Sequence, residues 1–143
     1  MFLKGGNMSS YKDVMLSDLT SRVLGAAMEV HSILGPGYLE SVYEEALTIE
    51  LNLRKIPFER QKTIRLKYKD HDVGESRLDL LVNETLIVEL KAVESISNIH
   101  TAQVLSYLKS TGLYLGLIIN FNVVSLRNGI KRVIQSSNCD FPL

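Results

Sequence analysis

Hydrophobic residues in the first part of the chain recur every three to four positions, which is the spacing of an amphipathic helix. The pattern covers 17–34 and again 38–53, so two helices are predicted. The bend between them is expected at Gly35-Pro36-Gly37, because glycine accepts the left-handed conformation that ends helices and proline cannot continue one. The residues before position 17 lack the pattern and are predicted to form a flexible arm, 1–16.

The spacing then changes to patterns that are typical of strands, with one further helical stretch. Strands are predicted over 57–69, 73–82, 87–93, 113–121 and 130–135, and a helix over 99–110. The order α-α-β-β-β-α-β-β indicates an α/β fold with a mixed central sheet flanked by helices. We assign this order to a single domain, 17–135, followed by a tail, 136–143.

The strand pair over 77–93 is mostly apolar, yet it contains Asp79, Glu89 and Lys91. Ionised groups in such strands cost free energy unless they are paired or bind a metal. One interpretation is structural, with Lys91 paired to Asp79 or Glu89, and Glu89 closing the sheet edge. The other is a site for Mg²⁺ or Mn²⁺, formed by the two carboxylates and the Leu90 carbonyl, because hard cations prefer oxygen ligands. Lys91 would then position the attacking water and stabilise charge on a phosphate.

Five segments of the chain carry a more specific pattern. They are LGPGYLESVYEEAL, IPFERQ, GESRLDLLV, IVELKAV and HTAQVLSYLKSTGLYLGLIINF. The first contains the spacing Gly37-x-x-Glu40-x-x-Tyr43. In order and spacing the five resemble the GxxExxY protein family, which is placed in the PD-(D/E)xK nuclease superfamily. The resemblance spans residues 20–135.

The resemblance implies a restriction-endonuclease-like core whose central sheet carries Asp79, Glu89 and Lys91. The helix that precedes the sheet would bring Glu40 to the same cluster. Asp79 and Glu89, with Glu40 as a third carboxylate, would then bind the metal. Clustered carboxylates repel one another until a cation neutralises them, so metal affinity would follow from this arrangement.

Gln103 and Tyr107 lie four residues apart and share one face of the predicted helix. They resemble an accessory Gln-x-x-x-Tyr motif in one branch of the superfamily, where the glutamine supports the site and the aromatic residue helps to hold it. The simpler interpretation is a partly exposed glutamine and a core tyrosine. Tyr43 of the first motif is expected to support the site as well.

Charge is unevenly distributed along the chain, although the net charge is zero. Between positions 54 and 69 there are seven basic residues and one acidic residue. One interpretation is a solvated edge strand that is protected by its lysines. The other is a face that contacts nucleic-acid phosphates through Arg60, Lys62, Arg65 and Lys67.

Composition narrows the class of protein. The chain has 143 residues, of which 45% are hydrophobic and 22% charged, which favours one globular domain. The single Cys139 excludes an internal disulfide framework and a cysteine zinc site, and fits a reducing compartment. No apolar run reaches the roughly 18 residues of a membrane span, and the first residues lack a signal-peptide core. We therefore expect a cytoplasmic protein without a membrane partner.

The expected activity is hydrolysis of nucleic-acid phosphodiester bonds, with Mg²⁺ or Mn²⁺ as cofactor and DNA preferred over RNA. Two alternatives stay open. The chain could be a nuclease-fold module that binds nucleic acid or assembles without cleaving, or an enzyme for another phosphate-containing substrate. No separate DNA-reading domain is evident, so a homodimer, formed through a sheet edge or the first helix, would enlarge the surface that holds substrate.

Overall fold

The computed structural model describes the backbone of residues 5–138 and the side chains of residues 13–138. The helices are α1 (Gly5–Leu34), α2 (Glu40–Leu53) and α3 (Asn98–Thr111), and the strands are β1 (Phe58–Tyr68), β2 (His71–Val82), β3 (Leu86–Lys91), β4 (Leu115–Asn120) and β5 (Ile130–Ile134). Their order is the predicted α-α-β-β-β-α-β-β. One short 3₁₀ turn, Leu126–Gly129, lies between β4 and β5, and another, Ser136–Asn138, follows β5. None of the helices within 5–138 is both long and apolar enough to cross a membrane.

The five strands form one mixed sheet, with the spatial order β1-β2-β3-β4-β5. All neighbours are antiparallel except β3 and β4, which run parallel from Leu86↔Leu115 to Lys91↔Asn120. A parallel pair needs a long crossover connection, and α3 provides it. The mixed α/β architecture expected from the sequence is therefore confirmed.

The helices cover both faces of the sheet. Leu86, Val88 and Leu90 of β3 pack with residues of α1 and α2, whereas Ile87 packs with Val104 and other residues of α3. This division follows from the alternation of side chains along a strand. It also means that Glu89 and Lys91, which share the parity of Ile87, belong to the α3 side of β3.

The hairpin of β1 and β2 changes face in its middle. Phe58 packs with the α1/α2 core, but Ile64, six residues further along β1, packs with the α3 core. On the partner strand, Leu80 belongs to the first core and Leu78 to the second. In a regular strand, residues separated by an even number of positions lie on the same face. The regular alternation of β1 is therefore interrupted between Phe58 and Ile64, around Gln61.

The chain ends differ from the prediction. Helix α1 begins at Gly5, twelve residues before the predicted start at position 17, so 5–16 are helical rather than a flexible arm. The stretch contains no proline, and Leu16 packs against the core, which favours continuation of the helix. Ser136–Asn138 are also ordered, because Asn138 Nδ2 donates to the carbonyl oxygens of Leu108 (3.1 Å) and Leu113 (2.8 Å). Residues 1–4 and the rest of the predicted tail, 139–143, lie outside the described residues.

Candidate active site

The bend before α2 determines where Glu40 enters the site. Gly35 has a φ of 70°, in the left-handed region that glycine accepts most readily. The buried Tyr43 hydroxyl donates to the Gly35 carbonyl at 2.6 Å and accepts from the Tyr38 N–H at 3.2 Å, while its ring stacks on Phe121 with centroids 4.5 Å apart. Tyr43 thus fixes the bend, so that α2 begins at Glu40. Its contacts are thus with the backbone of this bend and with Phe121.

The sheet opens between β2 and β3 at the acidic residues. Regular pairing of the two strands extends from Val82↔Leu86 to Leu80↔Val88. Asp79 and Glu89 are the next residues of the two strands and lie outside this pairing. There the Asp79 N–H donates to Glu89 Oε2 at 2.8 Å, and the Leu90 N–H donates to Asp79 Oδ2 at 2.8 Å. Each carboxylate therefore takes the place of a backbone acceptor on the opposite strand.

Burial and mutual repulsion raise the pKa values of three carboxyl groups in this opening. Glu89 is 4% exposed, and burial, followed by the charge of Asp79, raises its pKa to about 8. Burial also raises the pKa of Asp79. The pKa of Glu40 is raised by burial and then by the charge of Asp79. The ionised forms of these carboxyl groups are therefore disfavoured, and a bound cation would stabilise them.

Lys91 lies near these carboxylates without contacting them closely. Its charge acts to lower the pKa values of Glu40, Asp79 and Glu89. Within the described part of the chain, however, no ion pair of 4.0 Å or less includes Lys91. The structural interpretation is therefore wrong in both parts. Lys91 forms no close ion pair with either acid, and Glu89 lies on β3, which is paired on both sides and is not an edge of the sheet.

The predicted three-carboxylate metal cluster is not assembled in this arrangement. Among the described residues, no three His, Cys, Asp or Glu side chains are grouped so that they could hold a metal ion. The physical reason is that Asp79 and Glu89 bond to backbone N–H groups of the neighbouring strand, and the Ala92 N–H stabilises the Glu40 carboxylate. The donor set nevertheless suits a hard cation, since it consists of carboxylates with raised pKa values and, next to them, the Leu90 carbonyl.

The two predicted residues of α3 differ in their relation to the site. Tyr107 is 6% exposed, and its hydroxyl accepts a hydrogen bond from Ser76 Oγ at 3.2 Å. Burial raises the pKa of Tyr107, and the charges of Glu89 and Asp79 act in the same direction, which places the ring beside the carboxylates. Gln103, one turn earlier, is exposed, and its side chain makes no hydrogen bond within residues 13–138. The described contacts therefore bring Tyr107 to the site and leave Gln103 facing solvent.

Two residues of the site were missed in the sequence. Glu44, one helical turn after Glu40, has a side chain that is 12% exposed and raises the pKa of Asp79 through its charge. Gln61 Nε2 donates to both Glu44 carboxylate oxygens, at 3.2 and 3.3 Å. The spacing of four from Glu40 was a usable signal for Glu44. Gln61 gave none, because it occupies an exposed position in an alternating strand.

Three of the four basic residues of β1 that were predicted to bind phosphates form ion pairs, mainly with acids of α2 and β2. Arg60 pairs with Glu44 (3.1 Å) and Glu45 (2.8 Å) of α2. The other ion pairs are Lys62 with Glu59 at 3.5 Å, and Arg65 with Asp72 and with Glu75. Of the four residues predicted to bind phosphates, only Lys67 lacks an ion pair within the described residues. The uncompensated charge expected from the local sequence is therefore reduced by tertiary contacts.

A model of the PD-(D/E)XK nuclease superfamily matches residues 17–133, which is most of the chain and includes every residue of the site from Glu40 to Tyr107. The match agrees with the three helices and five-stranded mixed sheet, which are consistent with a restriction-endonuclease-like fold. No curated protein matches the chain at a significant level.

Proposed function

The chain belongs to the PD-(D/E)XK nuclease superfamily, and from this premise we propose that it is a metal-dependent nuclease that hydrolyses phosphodiester bonds of nucleic acid. The observation that carries the proposal is the opening between β2 and β3. There, Glu89 is buried and Asp79 is partly buried, and both have raised pKa values. The neighbouring Lys91 has no ion pair in the described part of the chain. A structural role alone would favour pairing of these charges, because unpaired buried charges are costly.

The carboxylates of Asp79, Glu89 and Glu40, with the Leu90 carbonyl, would hold Mg²⁺ or Mn²⁺. When bound, the cation supplies Lewis-acid stabilisation of charge on the phosphate. Glu89 would bind the cation as the carboxylate, without the proton that burial favours, and the Leu90 N–H would keep its bond to Asp79 Oδ2.

Lys91 orients the attacking water and stabilises negative charge that develops on the phosphate. Its ammonium is suited to both tasks because no carboxylate among the described residues holds it in a close ion pair. Tyr107 packs beside the carboxylates and limits their movement. Gln103, exposed on the same face of α3, contributes from the solvent side, where substrate would enter.

Several finer points belong to the same proposal. The spacing of Gly37, Glu40 and Tyr43 supports assignment to the GxxExxY group within the superfamily. We propose DNA as the preferred substrate, a homodimer as the unit that holds it, and the cytoplasm as the compartment.

The residues proposed to contact phosphates are Arg60, Lys62, Arg65 and Lys67. The first three would exchange an acidic partner for phosphate.

The proposal is tested by calorimetry with Mn²⁺ and by cleavage assays on single-stranded DNA, duplex DNA and RNA, for the natural protein, Asp79→Asn and Lys91→Met. We expect Asp79→Asn to lose Mn²⁺ binding and cleavage together. Lys91→Met should keep Mn²⁺ binding within a few-fold but cleave about 100-fold more slowly, which is a typical effect of losing one stabilising group. Lys109→Met is the matched control, because Lys109 is exposed in the last turn of α3 and lies outside the site.

Each other result has a distinct meaning. Binding of Mn²⁺ that depends on Asp79, without cleavage of any substrate, would support the alternative of a non-catalytic nucleic-acid-binding module. Equal Mn²⁺ binding by the natural protein and Asp79→Asn would refute the proposed site. Cleavage that Lys91→Met leaves unchanged would remove Lys91 from the mechanism.

A further inference from the structure

Gln61 has an unusual backbone conformation for its place in the fold. Six non-glycine residues in the described part of the chain have positive φ angles. Five of them lie in hairpin turns or directly after α2: Lys55, Lys69, Asp70, Asn83 and Glu84. Gln61, with a φ of 50°, is the one inside a strand. Residues with a Cβ adopt this region rarely, and such outliers cluster at functional sites.

The left-handed residue lies opposite Asp79. In the backbone register of β1 and β2, Arg60 is paired with Leu80 and Lys62 with Leu78. Gln61 and Asp79, which lie between these two pairs, are not paired with each other. The kink thus interrupts β1 at the position facing Asp79, whose N–H bonds to Glu89 on the other side. It is also the point at which the hairpin changes from one core to the other.

The side chain of Gln61 connects two structural elements of the site. Its Nε2 donates to both oxygens of Glu44 on α2, and Asp79 lies opposite it on β2, close enough for the Gln61 side chain to act on that carboxyl group. An amide is the appropriate group here. It offsets the repulsion of two carboxylates through hydrogen bonds, whereas a lysine would also cancel the negative charge that attracts a cation.

We propose that Gln61 is a positioning residue of the nuclease site, whose amide holds Glu44 and Asp79 together and so keeps α2, with Glu40, at the correct distance from β2. The inference rests on the function proposed above and adds a residue to it. The left-handed backbone is retained because it directs the amide toward both carboxylates. Removal of the side chain is therefore expected to weaken cation binding without weakening the fold.

The test compares Gln61→Gly with Asn83→Gly in calorimetry with Mn²⁺ alone at 25 °C and in thermal unfolding. Asn83 is a matched control: it also has a φ of 50°, but it lies in the β2–β3 turn and its side chain makes no hydrogen bond within the described residues. Glycine accepts this φ, so both variants should unfold at or above the temperature of the natural protein. Only Gln61→Gly should bind Mn²⁺ more weakly, by about tenfold, which is typical for residues that orient metal ligands.

Unchanged affinity, within twofold, in folded Gln61→Gly would overturn the inference. If Gln61→Gly does not fold, Gln61→Asn replaces it, because asparagine tolerates the left-handed region but is one methylene shorter. Asp79→Asn separates the two proposals. Loss of binding in Asp79→Asn but not in the Gln61 variant refutes only the role of Gln61. Equal Mn²⁺ binding by the natural protein and Asp79→Asn refutes the site and, with it, this inference.

Discussion

Glu89 is a carboxylate at a position where the sheet gives it almost no contact with water. Burial and the nearby Asp79 raise its pKa to about 8 from an ordinary value near 4.5. Between these two pH values the folded state holds a proton that the unfolded state has lost. The resulting stabilisation is complete below pH 4.5 and is lost as the pH rises through 8. Asp79 and Glu40, whose pKa values are also raised, act in the same direction.

Without divalent cations, the free energy of unfolding should therefore fall by on the order of a few kcal/mol between pH 5 and pH 9. Glu89→Gln should remove most of this slope, because glutamine keeps an acceptor for the Asp79 N–H and cannot ionise. The measurement is denaturant unfolding in EDTA across this pH range. Equal slopes for the two proteins would show that Glu89 does not titrate as described.

At the scale of elements, the position of α2 depends on one hydroxyl group. Tyr43 bonds to the backbone on both sides of the Gly-Pro-Gly bend, and α2 has no side-chain N-cap to fix its start. The bend and the helix that carries Glu40 are thus held from inside the core. In contrast, α3 is capped locally, by Ser97 and His100 at its start and by Gly112 at its end.

Tyr43→Phe should lower the free energy of unfolding by about 1–3 kcal/mol, because it leaves the Gly35 carbonyl without the buried hydroxyl donor. It should also weaken Mn²⁺ binding, since α2 carries Glu40. Tyr38→Phe is the control, as Tyr38 is half exposed and its hydroxyl makes no hydrogen bond within residues 13–138. Urea unfolding and Mn²⁺ calorimetry of both variants provide the comparison. A Tyr43→Phe protein as stable as Tyr38→Phe would contradict the role given to the bend.

At the scale of the whole molecule, the site depends on how closely α3 packs on the sheet. A Cβ at Gly116 of β4 would lie 2.7 Å from Val104 Cγ1 of α3. Val104 is fully buried in the α3 core, and protein cores are densely packed, so it has little room to move aside. The close approach holds α3, and with it Tyr107, against the strands that carry the carboxylates.

Gly116→Ala should destabilise the protein by about 1–3 kcal/mol, the usual cost of overpacking a core. In the double variant with Val104→Ala, the loss of stability should be smaller than the sum of the two single losses, because the smaller side chain makes room for the new methyl group. Denaturant unfolding of the two single variants and the double variant measures this coupling. Strictly additive losses would show that the layers do not meet at this point.

Local patterns in the sequence were sufficient for the elements. Spacing, glycine–proline bends and alternation predicted the order of helices and strands. The charges in otherwise apolar strands made Asp79, Glu89 and Lys91 candidates for a site, since burial of a charge is costly wherever the strand lies in the sheet. The start of α1 was predicted wrongly, because the residues before position 17 show no helical spacing and yet form part of the helix.

Three features were decided by tertiary structure alone. The acids that neutralise Arg60 come from α2, and those that neutralise Arg65 come from β2. The bonds of Asp79 and Glu89 to backbone N–H groups arise only where two strands separate. The role of Gln61 depends on a left-handed backbone that no local pattern requires. The sequence alone determines which residues are costly to bury, because that cost is a property of each residue and its strand. Which groups compensate for it depends on contacts between distant segments, and these exist only in the folded chain.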